Sequence, residues 1–105
     1  MANPKKAPKT YFKGRVDGME YVYLFYLGHD NAYKIGRSLS WENRMWRLGA
    51  ANPWMKMVKV VLVDEELARY LEEKLMDEFK DCSIGREMFE FENTDMVIAL
   101  MEALT

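Results

Sequence analysis

The stretch YKIGRSLSWENRMWRL, Tyr33 to Leu48, decides how the chain is built. Tyr33 to about Arg37 reads as a short strand, in which Tyr33 and Ile35 share one face and Lys34 and Gly36 the other. Ser40 is suited to cap a helix, with acidic Glu42 in its first turn. Trp41, Met45 and Leu48 then fall at i, i+4 and i+7, one apolar helix face ended by Gly49. At about 100° per residue, Arg44 lies about 40° from Leu48, at the margin of that face. Arg47 points further out. Trp46 lies off the stripe, either as a surface anchor for a partner or packed under the N-terminal segment.

Upstream, YVYLFYL (Tyr21–Leu27) is apolar on both faces, which suits a central strand. Tyr21, Tyr23 and Phe25 share one of those faces. GHDNA joins this strand to Tyr33–Arg37 as an antiparallel hairpin. Downstream, ANPW is a loop and Met57–Val63 a third strand. An amphipathic helix runs from about Glu65 to Lys80, with Ala68, Leu71, Leu75 and Phe79 on one face. SIG breaks the chain, MFEF adds a short strand or extended segment, and Asn93 or Thr94 caps a last helix over about 95–104. The order is β-β-α-β-α-(β)-α. It predicts an α+β domain: a small three-stranded antiparallel sheet with helices on one side. Residues 1–18, rich in Lys, Pro and Gly, read as a basic arm, and 19–105 as a single domain.

Composition narrows the function classes. The 105 residues hold one cysteine, Cys82, and one histidine, His29. That leaves no set of ligands for a His/Cys zinc site and no material for a disulfide or a histidine-based triad elsewhere in the chain. The absence of a long apolar run predicts a soluble, cytoplasmic protein with no membrane partner. Charge is divided along the chain. Up to Lys59, eleven bases face four acids, a net +7; after it, four bases face thirteen acids, a net −9. The basic half suits a polyanion such as nucleic acid, and a solvated acidic helix surface accounts equally well for the second half.

Local readings leave two sites open. Lys34 is either an edge-strand lysine that discourages aggregation or a functional cation beside a glycine that admits close approach. Glu72 lies at the margin of the apolar helix face while Glu73 turns outward. A carboxylate at a core margin needs a partner, a basic side chain or a metal ion.

Taken together, YVY, YKIG, an arginine eight residues after that glycine, and LEEKLMDEF resemble the GIY-YIG endonuclease superfamily. The likeness spans about Tyr21 to Phe91. It is nearest to the small phage and viral branch usually described as DNA-binding domains. In that branch YKIGR, a glutamate followed seven residues later by phenylalanine, and a closing EWF-like segment recur; here that segment is EMFEF. By this resemblance Tyr23 matches the tyrosine of the first motif. Lys34 stands at the tyrosine position of the second motif, as in some restriction enzymes, and Gly36 is its glycine. Arg44 matches the helix arginine and Glu72 the metal-binding glutamate. Three positions depart from the pattern: Tyr21 replaces a glycine, and Leu48 and Met76 stand where His or Tyr and His are frequent.

The resemblance implies a metal-dependent DNA endonuclease. Glu72 would hold one divalent cation, Mg²⁺ or Mn²⁺, against the scissile phosphate. Tyr23, its pKa lowered by Lys34 and the metal, would act as general base, and Arg44 would neutralise transition-state charge. Lys13, Arg15, Arg37, Arg47 and Lys56 are the further nucleic-acid contacts, to double- or single-stranded DNA. Two alternatives stand beside it: a DNA-binding module with little or no cleavage, and a phage protein-interaction factor with a host partner on the same scaffold. The short basic arm leaves little for target recognition, which favours a homodimer or weak specificity.

Overall fold

The computed structural model describes residues 15–49 and 52–105. Its elements are β1 (Met19–Tyr26), β2 (Ala32–Ser38), α1 (Trp41–Gly49), β3 (Lys56–Asp64), α2 (Glu65–Glu78), a 3₁₀ turn (Lys80–Cys82), β4 (Ser83–Gly85), β5 (Met88–Glu90) and α3 (Asp95–Ala103). The strands form one antiparallel sheet in the order β3-β1-β2-β5-β4. The architecture is α+β, as expected, but the sheet has five strands rather than three. SIG, read as a break, is β4, and MFE is β5. MFEF was expected as a short strand or extended segment, whereas β4 was not, because three residues are too short to show alternation. No helix among the described residues is long and apolar enough to cross a membrane.

β1 is central because both its faces are apolar. Tyr21, Tyr23 and Phe25 are fully buried on one face, Val22 and Leu24 on the other. This divides the core in two and corrects the expectation of helices on one side. Tyr21, Tyr23 and Phe25 cluster with Met55 and Val60 beneath Trp41 and Met45 of α1. Val22, Leu24 and Ile35 pack with Ala68, Leu71 and Leu75 of α2, and with Val97 and Met101 of α3. A strand apolar on both sides requires cover on both sides, and α1 is the element available.

Local chemistry fixes the element ends. The Asp64 carboxylate accepts the Leu67 N–H at 2.9 Å and caps α2. Ahead of α1, the Ser40 carbonyl accepts the Arg44 N–H at 3.1 Å, while the Ser38 hydroxyl accepts the Ser40 N–H at 3.0 Å. Between β1 and β2, Gly28 takes φ +92, and a Cβ there would meet the Asn52 amide at 2.9 Å. That amide donates to the Leu27 carbonyl at 2.6 Å and ties the loop before β3 to the hairpin. β3 carries a bulge opposite Leu24 and Phe25. Most of the basic arm lies outside the described residues. Gly18 is joined to the domain, its carbonyl accepting the Glu65 N–H at 3.1 Å.

Candidate active site at the free edge of β2

β5 covers only part of β2. Their pairing runs over Ala32–Lys34, and the Ile35 N–H donates to the Glu87 carbonyl at 3.1 Å as a last rung. Past it, Gly36, Arg37 and Ser38 have β1 as their only strand neighbour among the described residues. Several of the expected site residues, Tyr23, Arg37, Arg44 and Glu72 among them, lie around this open edge.

Tyr23 and Gly36 are direct partners across β1 and β2. The glycine is required: a Cβ would stand 2.5 Å from the Tyr23 hydroxyl and 2.7 Å from the ring carbon bearing it. The phenol therefore lies across β2. From α1, an Arg44 guanidinium nitrogen comes within 3.5 Å of the hydroxyl, which can accept from it. On the same face, Lys34 Nζ meets Glu87 Oε1 at 2.8 Å. Lys34 has β1 on one side and β5 on the other, so it does not guard a sheet edge. Phe25 stacks on Tyr23 with ring centroids 4.1 Å apart and fixes the ring from below.

Arg37 points to the opposite face, that of α2, because it pairs with Val22. Its Nε donates to Glu72 Oε1 at 2.8 Å and a terminal nitrogen to Glu20 Oε1 at 2.7 Å. One guanidinium thus serves two carboxylates, all three side chains being less than 30 % exposed. The hydrogen bond to Glu72, followed by that to Glu20, raises the Arg37 pKa further despite desolvation. The partner required by Glu72 is this arginine.

The Tyr23 phenol is not activated in this state. Burial pushes its pKa above the ordinary 10.0. The charge and hydrogen bond of Arg44 pull downward, and the carboxylates of Glu87 and Glu72 add to the rise. Lys34 does not lower it, its charge being engaged by Glu87. Lys34, expected to help depress the tyrosine pKa, is not among the charges that do so. A fully buried phenol loses more by ionising than one neighbouring guanidinium returns.

Arg15, Arg37, Arg44 and Arg47 line one groove of about 330 Å³ with Glu20, Ser38, Leu39, Ser40 and Asn43. Among the described residues neither Arg15, Arg44 nor Arg47 has an ion-pair partner. Glu20, the single acid in the groove, is already engaged by Arg37. Such a surface attracts phosphate. Lys56 does not join it: it pairs with Tyr26, five residues along β1 from the Tyr21–Ser38 pair and hence roughly 16 Å away. Lys13 lies outside the described residues. Leu48 is half-exposed and Met76 packs on the core, so neither supplies a polar helper.

No group of three or more His, Cys, Asp or Glu side chains suited to a metal ion occurs among the described residues. The Glu72 carboxylate does fit an ion that arrives with substrate. It is a hard oxygen donor at a solvent rim, and Mg²⁺ commonly rests on one or two carboxylates plus phosphate oxygens and water.

Two residues of the site were not foreseen, Glu20 and Glu87. Glu20 lies two residues before Val22, so strand alternation places it on the same face as Arg37. Glu87 opens EMFEF but sits in the β4–β5 turn at φ +59, a left-handed position unusual for glutamate. Compared with family models, curated proteins and solved structures, the chain matches none of them.

Proposed function

We propose that this domain binds DNA through the arginine groove and hydrolyses a phosphodiester at the open edge of β2. The observation that carries the proposal is the Tyr23 hydroxyl, laid over Gly36 against Arg44, at an edge shared with a groove lined by four arginines. Arg15 and Arg47 hold flanking phosphates by charge. Arg44 neutralises charge on the scissile phosphate, and its hydrogen bond orients the tyrosine oxygen. Tyr23 takes the proton of the attacking water once its environment favours the phenolate. A divalent cation held by Glu72 and the phosphate would supply positive charge for that ionisation and for the departing oxygen. Lys34, fixed by Glu87, adds a second cation on the tyrosine's face.

The test is cleavage of single- and double-stranded DNA with Mg²⁺ or Mn²⁺. Wild-type protein cuts, while Glu72→Ala and Arg44→Ala fall by about 10²-fold or more, the usual scale of an electrostatic or general-base contribution. Equal inertness of wild type and Glu72→Ala on every substrate would remove the catalytic proposal.

A second reading, binding without cleavage, draws on a specific observation. The Tyr23 phenol is fully buried with a raised pKa, and Glu72 is engaged by Arg37. Salt-sensitive binding by wild type, with no cleavage under any metal, would select it.

A further inference from the structure

We propose that the flank of α1 opposite the arginine groove is a stacking site for an unpaired nucleobase, and that the preferred ligand is single-stranded DNA. The inference rests on the nucleic-acid reading above and names its substrate class.

Helix geometry makes α1 a divider. Arg44 and Arg47 are three residues apart and share one flank. Glu42 and Trp46 are four apart and share the other. The second flank borders a groove of about 380 Å³ lined by Trp41, Met45, Trp46, Pro53 and Met55, with Glu42 and Asn52 as its polar groups. Trp46 is 72 % exposed at its margin, a large apolar ring left in water. The Asn52 amide is already used, donating to the Leu27 carbonyl and accepting from the Trp54 N–H.

The two flanks differ in the chemistry they accept. The arginine flank suits phosphate. The tryptophan flank repels it, because its one charged group is the Glu42 carboxylate. That carboxylate can accept from a base N–H, while an indole face stacks on any base. Trp46 and Arg47 are adjacent in sequence, about 100° apart around a helix about 10–12 Å thick. A nucleic-acid strand crossing the crest of α1 can therefore rest a phosphate on one flank and a base on the other. A duplex cannot, since its bases are stacked on one another and offer only their edges.

The experiment compares the binding of a labelled oligothymidylate and a labelled duplex to the full chain, by fluorescence anisotropy over a salt series. Trp46→Ala weakens the single strand by roughly five- to 150-fold and leaves the duplex unchanged. Trp46→Phe, which keeps a smaller ring, recovers part of the loss. The salt dependence is unaltered by either change, because no phosphate contact is lost. Arg47→Ala weakens both ligands and flattens the salt dependence. If Trp46→Ala binds the single strand as wild type does while Arg47→Ala is impaired, the nucleic-acid reading stands and the stacking site is overturned. If the wild type binds neither ligand at low salt, both fall. If Trp46→Ala instead abolishes a dimer seen by sedimentation without affecting DNA, the face belongs to a second copy and the stacking site is overturned.

Discussion

The Tyr23 hydroxyl occupies the space that a side chain on Gly36 would need, 2.5 Å from the position of its missing Cβ. The contact links the fold to the site, because the same ring carries the Arg44 hydrogen bond and stacks on Phe25. Gly36→Ala is expected to drive the phenol off this position. Overpacking of this kind costs about 1–3 kcal/mol. The expected outcome is a folded protein with a lower midpoint in urea and cleavage reduced at least as far as in Arg44→Ala. Full activity in Gly36→Ala would separate the tyrosine's position from the reaction.

Arg37 neutralises two carboxylates at once, so its loss leaves Glu20 and Glu72 facing each other without their cation. Arg37→Ala is expected to destabilise by about 2–3 kcal/mol, less than for a fully buried pair because the cluster touches water. Adding Glu20→Gln and Glu72→Gln should recover much of that loss. Denaturant midpoints of the single and triple variants measure the coupling.

The raised Tyr23 pKa has a direction in stability. Below the unfolded pKa of about 10, the phenol is protonated in both states and contributes its full stabilising effect. As pH climbs past 10, the unfolded chain ionises first, so stability falls until the folded pKa is also passed. Tyr23→Phe should flatten this alkaline decline. In an absorbance titration of tyrosinate it should remove one of the late-ionising groups, the Tyr21 phenol, also raised by burial, remaining.

Glu87 separates backbone strain from chemistry. Its left-handed backbone costs about 1–2 kcal/mol relative to a residue at ease there. Glu87→Gly relieves that cost but loses the 2.8 Å contact with Lys34. The expected result is stability near the wild-type level with impaired cleavage, measured by thermal melting beside a nuclease assay.

Leu71 is fully buried between α2 and the sheet, and Leu71→Ala should cost about 2–5 kcal/mol in a denaturant titration. Glu73, two residues on and exposed on the far side of α2, should tolerate Ala with little change.

Much of this arrangement was legible in the residues. Every helix and each of the three long strands was anticipated with ends within two residues, because their apolar periods are strong. The placement of Arg44 at the margin of α1 and of Glu72 at the margin of α2 followed from helix spacing, whereas the pairing of Tyr23 with Gly36 depends on a strand register that alternation does not supply. The side on which α1 packs did not, since a strand apolar on both faces says that two covers exist and not which helix is which. Glu20 and Glu87 escaped notice because each matters only through a partner 17 or 53 positions away. The upward pull of burial on the Tyr23 pKa was not weighed for a similar reason: it depends on how deeply the ring is buried, which alternation alone does not reveal.

The short reach of β5 has a last consequence. Four more residues of pairing would run the strand over Ile35 and along Gly36 to Ser38, completing the sheet as an ordinary structure. The edge would then be sealed against any ligand that must reach the backbone there. Lengthening the β4–β5 hairpin is therefore an inhibitor built from the protein's own chain, one that stiffens the fold as it closes the door.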